Sequence, residues 1–170
     1  MKKLFLLTAV AGLFAFSSVN AQTKSPKLSL GAEFAFPMGD YGDIMNLGYG
    51  GSLQYQHPVA ANLLVTGSAG YINFQSKEIS GVKVNSGAIP VKAGARYYFG
   101  ENFFAAGEVG ASISTEKNGK TGFAYAPGVG VEFPVSDTGG IEIGARYEGW
   151  SYSGGTNGFI GLRAAFNFGL

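Results

Sequence analysis

The chain has 170 residues, of which 46% are hydrophobic and 14% charged, and twelve Lys and Arg against eleven Asp and Glu give a formal net charge of +1. Soluble domains carry about 25% charged residues, so the composition disfavours an ordinary cytosolic globule, and without a basic tract a nucleic-acid partner is not expected. The chain contains no Cys, which excludes disulfide scaffolds, thiolate metal sites and cysteine nucleophiles.

The first 21 residues have the features of a secretory signal peptide. A basic start precedes an apolar stretch at 4–16, and the small residues Val19 and Ala21 occupy the positions that precede a cleavage site. The apolar stretch is shorter than the roughly 20 residues that a membrane-spanning helix requires. We therefore predict cleavage after Ala21, a short tail at 22–26 and a single domain at 27–170.

The rest of the chain alternates apolar residues with small or polar ones at a period of two, which is typical of strands with one apolar face. In the first segment, Leu30 and Phe34 fall on one face while Gly31 and Glu33 fall on the other. No window has apolar residues at helical spacing, so no amphipathic helix is expected. Eight strands are predicted, at 27–36, 47–57, 63–74, 89–99, 103–113, 123–133, 141–148 and 160–170, with Pro58 ending the second.

The connections between these strands alternate in length. Short connections are predicted at 58–62, 100–102 and 134–139, and longer polar ones at 38–46, 75–86, 115–120 and 153–157. Eight antiparallel strands in meander order are the simplest topology. The alternation places the long loops together at one end, which we expect to be the outer end of a membrane barrel.

Two barrels fit eight alternating strands: a lipocalin-like barrel with its apolar face inside, and an outer-membrane barrel with the faces reversed. The polar face decides between them, because it consists mainly of Gly, Ala and Ser with isolated charges, as suits a crowded lumen. The opposite face carries no charge, and the acids and bases of the polar face are nearly balanced, as expected for pairs in an interior. The predicted lumen charge network comprises Glu33, Lys92, Arg96, Glu108, Glu132, Glu142, Arg146, Glu148 and Arg163.

Aromatic residues on the apolar face lie towards the strand ends, where membrane barrels carry aromatic girdles. The strand lengths also fit, because about 9 to 11 tilted residues cross the hydrocarbon layer. The predicted fold class is therefore all-β, an eight-stranded antiparallel up-and-down transmembrane β-barrel preceded by a cleaved signal peptide.

Two segments resemble a known family. IPVKAGARYYFG at 89–100 is similar to the fourth strand and turn, and GFIGLRAAFNFGL at 158–170 to a terminal assembly signal, of the small outer-membrane β-barrel domain family that includes OmpA-like and OmpX-like proteins of Gram-negative bacteria. Family members usually end on an aromatic residue, whereas this chain ends on Leu170. The resemblance covers 27–170, and it implies recognition by the barrel-assembly machinery through Phe166, Phe168 and Leu170.

Three groups of residues are weighed as possible sites. His57, the one His, is expected beside Tyr55 on the lipid side of the short-turn rim, where anchoring is favoured over catalysis. Asp40 and Asp43 are too few for a dedicated cation cage. A further group, expected near the outer mouth, could contact a ligand but is favoured as interfacial or lumen packing: Tyr41, Trp150 and Tyr152.

These patterns predict an integral outer-membrane protein with a structural or interaction role, no catalytic activity and no cofactor or metal. Eight strands leave room only for side chains, so a general diffusion pore is not expected. The expected partners are outer-membrane lipids, lipopolysaccharide and the barrel-assembly machinery, and a monomer is expected. Two alternatives are an exported soluble lipocalin-like barrel binding an apolar ligand and a lipid-modifying outer-membrane enzyme with a His-based mechanism.

Overall fold

A computed structural model describes residues 25–77, 85–117 and 119–170, in which eight antiparallel strands form a closed barrel. Each strand pairs with its neighbours in chain order, and the last strand pairs with the first. The predicted eight-stranded up-and-down barrel is confirmed, while the predicted signal peptide lies outside the described residues. The elements are β1 (Lys27–Met38), α1 (Gly39–Ile44), β2 (Met45–Ala60), β3 (Leu63–Ser76), β4 (Asn85–Phe99), β5 (Phe103–Ser114), β6 (Thr121–Pro134), β7 (Gly139–Tyr152) and β8 (Gly155–Gly169).

The strands close with a stagger. The chain of paired residues that starts at Leu28 in β1 passes once around the barrel and returns to β1 at Met38, ten residues further along. This stagger requires the strands to tilt against the barrel axis. It also brings residues that are far apart in the sequence to the same level of the lumen.

The alternation predicted for each strand is present in the barrel. Leu30 is 60% exposed on the outer surface, whereas Glu33, three residues further along β1 and on the opposite face, is 4% exposed. The outward faces of the eight strands are apolar and carry no charged side chain. The expectation that the apolar face points outwards is therefore confirmed, and the lipocalin-like alternative with that face inside is wrong.

Some predicted boundaries are wrong. The segment 38–46, predicted as a loop, contains α1, in which Tyr41 is buried and packs edge-on against Phe74. Pro58 does not end the second strand, because β2 continues to Ala60 through a register shift that accommodates a residue without an N–H. The strands are 12 to 16 residues long, since the hairpins continue beyond the predicted segments. Within the predicted loops, 78–84 and 118 lie outside the described residues.

Candidate functional site

The lumen of the barrel contains the charged residues of the protein's polar face. Because side chains alternate along a strand, residues two apart in β4 or β7 point into the same interior. All the residues of the predicted lumen network lie on this inner face. Glu33, Lys92, Arg96, Glu132, Glu142, Glu148 and Arg163 are buried, and Glu108 and Arg146 are half-buried.

Glu142 lies between two arginines. The Nη1 and Nη2 atoms of Arg96 donate to its two carboxylate oxygens at 2.5 and 3.1 Å, and Arg163 Nη1 donates at 2.8 Å. Asn167 Nδ2 adds a further hydrogen bond at 3.2 Å. The forked contact with Arg96 is the geometry that makes an arginine–carboxylate pair both strong and directional.

The pairing continues from Arg163 towards the long-loop end. Arg163 lies 3.4 Å from Glu33, which also accepts a hydrogen bond from Arg146 Nη1 at 2.7 Å. Arg146 Nε then donates to Glu148 at 2.6 Å, and Lys92 Nζ donates to the same carboxylate at 2.7 Å. Each carboxylate in this series contacts at least one cation, which offsets the cost of removing the charge from water. The series ends where Lys92 lies 3.7 Å from Glu108.

The short-turn end contains a residue that the sequence analysis missed. Lys27 forms an ion pair with Glu132, and the hydroxyl of Tyr98 donates to the other oxygen of that carboxylate. Lys27 has the same strand parity as Glu33, so the alternation alone could have placed it inside. With Lys27, the part of the chain that the structure describes places five acidic and five basic side chains in the lumen, and their formal charges sum to zero.

Neutral polar residues satisfy part of the remaining hydrogen-bonding capacity. Gln54 Nε2 and Thr66 Oγ1 donate to Glu108 at 3.0 and 3.1 Å. Arg163 also donates to Ser52 Oγ at 3.0 Å and to Ser29 Oγ at 2.9 Å. These contacts make the network rigid, because most of its charged groups have several fixed partners.

The space left among the paired charges in the middle of the lumen is small. A cavity of about 60 Å³ lies among residues that include Ser68, Arg96 and Glu108. Such a volume accommodates only a few water molecules, whereas sites for drug-sized ligands are about 300 to 1,000 Å³. Ser68 Oγ and Arg96 Nε, which are buried without a protein partner, are positioned to contact such waters.

An apolar cluster covers the charged region at the long-loop end. Towards the long loops, Phe74 packs edge-on against Tyr41, Trp150 and Phe159, with ring centroids 5.3 to 5.6 Å apart. Burial raises the pKa of the Tyr41 hydroxyl above its ordinary value, so this group stays neutral. Tyr152 packs against the same cluster. Tyr41, Trp150 and Tyr152 therefore pack in the lumen mouth. At the short-turn end, a smaller cluster of Leu64, Tyr98 and Phe104 packs on β3 to β5. Beside it, Lys27 and Glu132 line an open pocket of about 470 Å³.

The other candidate residues are placed apart from this network. His57 lies on the outer surface with Nδ1 3.2 Å from the Tyr55 hydroxyl and the two rings stacked. Asp40 and Asp43 are exposed on α1. Among 25–77, 85–117 and 119–170, no group of three His, Cys, Asp or Glu residues is arranged to hold a metal ion. No helix in these segments has the length and hydropathy needed to cross a membrane.

Phe166 and Phe168 belong to β8, the strand that closes the barrel, and Leu170 directly follows it. The rings of Phe166 and Phe168 are 4.7 Å apart, and the Leu170 N–H donates to the Pro26 carbonyl at 2.8 Å. Phe168 and Leu170 are exposed on the outer surface. The proposed assembly signal thus lies at the seam between β8 and β1.

Comparison with solved structures identifies the fold. The chain is similar to Neisserial surface protein A, with a TM-score of 0.65 and 14% identity over 88% of this chain and 100% of that one. It is also similar to the outer-membrane protein OprG of Pseudomonas aeruginosa, with a TM-score of 0.60 and 13% identity over 90% and 99% of the two chains. The chain has the fold of the small eight-stranded outer-membrane β-barrels.

A third barrel of this fold is Ail, the attachment invasion locus protein of Yersinia pestis. It matches with a TM-score of 0.59 and 21% identity over 85% of this chain and 99% of Ail. Ail has been solved in complex with the heparin analogue sucrose octasulfate and in a phospholipid bilayer nanodisc. No protein-family model matches the sequence, and no curated protein matches it.

Proposed function

We propose that the protein is an integral outer-membrane β-barrel with a structural or interaction role. The observation that carries this proposal is that the apolar face points outwards, the reverse of a soluble barrel. The outer surface is apolar and uncharged, while the buried lumen holds five acidic and five basic side chains in ion pairs. Only a closed barrel satisfies all backbone hydrogen bonds in lipid. The shared fold with outer-membrane proteins supports the same location.

The lumen is not a general diffusion pore in this proposal. Its charges are paired across the full width, the cavity among them is about 60 Å³, and an aromatic cluster closes the long-loop end. A solute would have to break several buried ion pairs to pass. In planar bilayers we expect no large, stable conductance.

We propose a non-catalytic role. Serine hydrolysis and lipid acylation in small barrels would require a His with an acidic partner. His57 contacts a tyrosine on the outer surface, and the lumen carboxylates contact cations. As a test, overexpression should leave lipid A and phospholipid acylation unchanged; an altered pattern that disappears in His57→Ala would support the enzyme instead.

The partners of this barrel would be the lipids around it. Lys77, Lys117 and Lys120 are exposed at the long-loop end, where they could meet the phosphates of lipopolysaccharide. The seam residues Phe166, Phe168 and Leu170 would be recognised by the barrel-assembly machinery, and the barrel would remain a monomer.

Heat-modifiable mobility tests the proposal directly. Envelopes are extracted in mild detergent, and boiled and unboiled samples are compared on a denaturing gel beside the soluble fraction. We expect a membrane-fraction band whose mobility changes on boiling, since a closed barrel resists detergent at room temperature. A soluble protein with unchanged mobility would contradict the membrane assignment.

A further inference from the structure

The open pocket at the short-turn end of the barrel is polar and of a size that suits a small ligand. Its volume of about 470 Å³ lies within the range of about 300 to 1,000 Å³ that is typical of sites for small organic molecules. We call it the short-turn pocket; its lining includes Lys27, Glu101, Glu132, Asp137, Asn167 and Leu170. It ends at the ion pairs of the lumen, because Asn167 Nδ2 donates to Glu142 at 3.2 Å.

The short-turn pocket has an excess of negative charge. Lys27 and Glu132 form an ion pair and neutralise each other. Glu101 in the turn 100–102 and Asp137 in the turn 135–138 are exposed, and no cation of the described residues pairs with either. Three carboxylates and one ammonium therefore line the pocket, which gives a formal charge of −2. A cleft lined by one sign of charge attracts ligands of the opposite sign.

A buried amide at the inner end of the pocket lacks a partner for its oxygen. Asn167 is 1% exposed, and its Nδ2 atom is bound to Glu142. Its Oδ1 atom is buried and accepts no hydrogen bond from the described residues. A buried acceptor without a donor is unfavourable. Because Asn167 lines the pocket, an N–H group of a ligand bound there would supply the missing donor.

The lining suits separate ammonium groups better than a single metal ion. Glu101 and Asp137 stand on different turns, which are neighbours because Glu132 N–H donates to the Asn102 carbonyl at 2.9 Å. Within the described segments, no three His, Cys, Asp or Glu side chains converge as metal ligands do. Other parts of the lining are apolar, among them Pro134 and Leu170, and such surface favours contact with methylene groups.

We propose that the short-turn pocket binds a linear aliphatic diamine in its doubly protonated form. The two positive charges balance the unpaired carboxylates of Glu101 and Asp137, an ammonium N–H donates to Asn167 Oδ1, and the methylene chain contacts the apolar part of the lining. This inference goes beyond the proposed function. It assigns a ligand to one end of the barrel, and it depends on the barrel fold and not on the membrane around it.

The test measures binding of cadaverine, a five-carbon diamine, to the mature protein in mild detergent by isothermal titration calorimetry. Low ionic strength is used, because salt screens the attraction between exposed charges. We expect saturable binding of one cadaverine per barrel. Amylamine has the same number of carbons and one ammonium, and it should bind about tenfold more weakly. Magnesium chloride should show no saturable binding.

Two changes in the pocket should weaken the binding of cadaverine. A variant with both Glu101→Gln and Asp137→Asn removes the unpaired carboxylates with little change in side-chain size, and it should lower the affinity about tenfold. Asn167→Leu removes the buried acceptor and should act in the same direction. The matched control carries Asp40→Asn and Asp43→Asn, the same loss of charge at exposed positions of α1. It should bind cadaverine as the unchanged protein does.

The outcomes separate this site from the proposed function. Absence of cadaverine binding, or equal affinity in the variants of the pocket and of α1, would overturn the site. Equal binding of amylamine would overturn the requirement for two ammonium groups, and magnesium binding that is lost with Glu101 and Asp137 would overturn the organic ligand. Trp150 fluorescence first confirms that each variant is folded. A barrel from the soluble fraction that still binds cadaverine would contradict the membrane location and support the site.

Discussion

Replacement of Arg163 by Ala tests whether the ion pairs of the lumen stabilise the fold. Arg163 is 8% exposed and contacts Glu142 at 2.8 Å and Glu33 at 3.4 Å, in addition to two serine hydroxyls. Its loss leaves five carboxylates with four cations in the lumen. Breaking a buried pair usually costs 3 to 5 kcal/mol, because one charge is left uncompensated.

We expect Arg163→Ala to lower the free energy of unfolding by about 3 kcal/mol, the lower end of this range, since the carboxylates of Glu142 and Glu33 each keep another partner. Glu142 still accepts from Arg96, and Glu33 still accepts from Arg146. The matched surface variant is Lys117→Ala, in an exposed loop residue. It should change the free energy of unfolding by no more than about 0.5 kcal/mol.

The assay is urea unfolding of the mature protein in lipid vesicles, followed by tryptophan fluorescence. The chain has a single Trp, and Trp150 is 2% exposed in the lumen mouth, so its emission reports loss of the barrel interior. A double variant with Arg163→Ala and Glu142→Gln restores charge balance. It should recover about 1 to 2 kcal/mol relative to the sum of the single changes. If Arg163→Ala and Lys117→Ala had the same small effect, the stabilising role of the pairs would be refuted.

Three further predictions concern packing and pH. Gly50→Ala would place its Cβ 1.8 Å from the carbonyl oxygen of Tyr71 in β3, whereas a Cβ on Gly67 meets nothing within 4 Å. Unfolding assays should therefore show destabilisation by Gly50→Ala and not by Gly67→Ala. Phe74→Ala should cost about 3 to 5 kcal/mol by leaving a cavity among buried rings; Phe123→Ala, 56% exposed on the outer surface, should cost less than half as much. Burial raises the pKa of Tyr41, so its contribution to stability is present below about pH 10 and declines above it. Alkaline unfolding titrations of Tyr41→Phe should therefore show a smaller decline, and an unchanged slope would contradict this.

The period-two pattern predicted the face of nearly every strand residue because alternation is a local property of extended backbone. It therefore placed Arg163 and Glu142 inside without knowledge of the fold. It did not assign Lys27 to the lumen. Lys27 is the first residue of β1, and it was interpreted as the start of the strand although the alternation places it on the same face as Glu33. The pattern also failed for α1, because a single turn is too short to show helical periodicity and is stabilised by the packing of Tyr41.

The pairing of the charges could not be predicted from spacing. Arg146 and Glu33 are 113 residues apart, and Lys27 and Glu132 are 105 apart. Whether they meet depends on the stagger of ten residues at closure, which is set by the register of all eight strands together.

The sequence by itself determined that the chain forms alternating strands, which face of each is apolar, and that the charges of the other face are nearly balanced. These properties depend only on residue type and on the alternation of side chains along a strand. The tertiary structure alone decided which carboxylate contacts which cation and how the aromatic residues close the lumen at the long-loop end. Those properties depend on strand register and barrel closure, which bring together residues from distant parts of the chain.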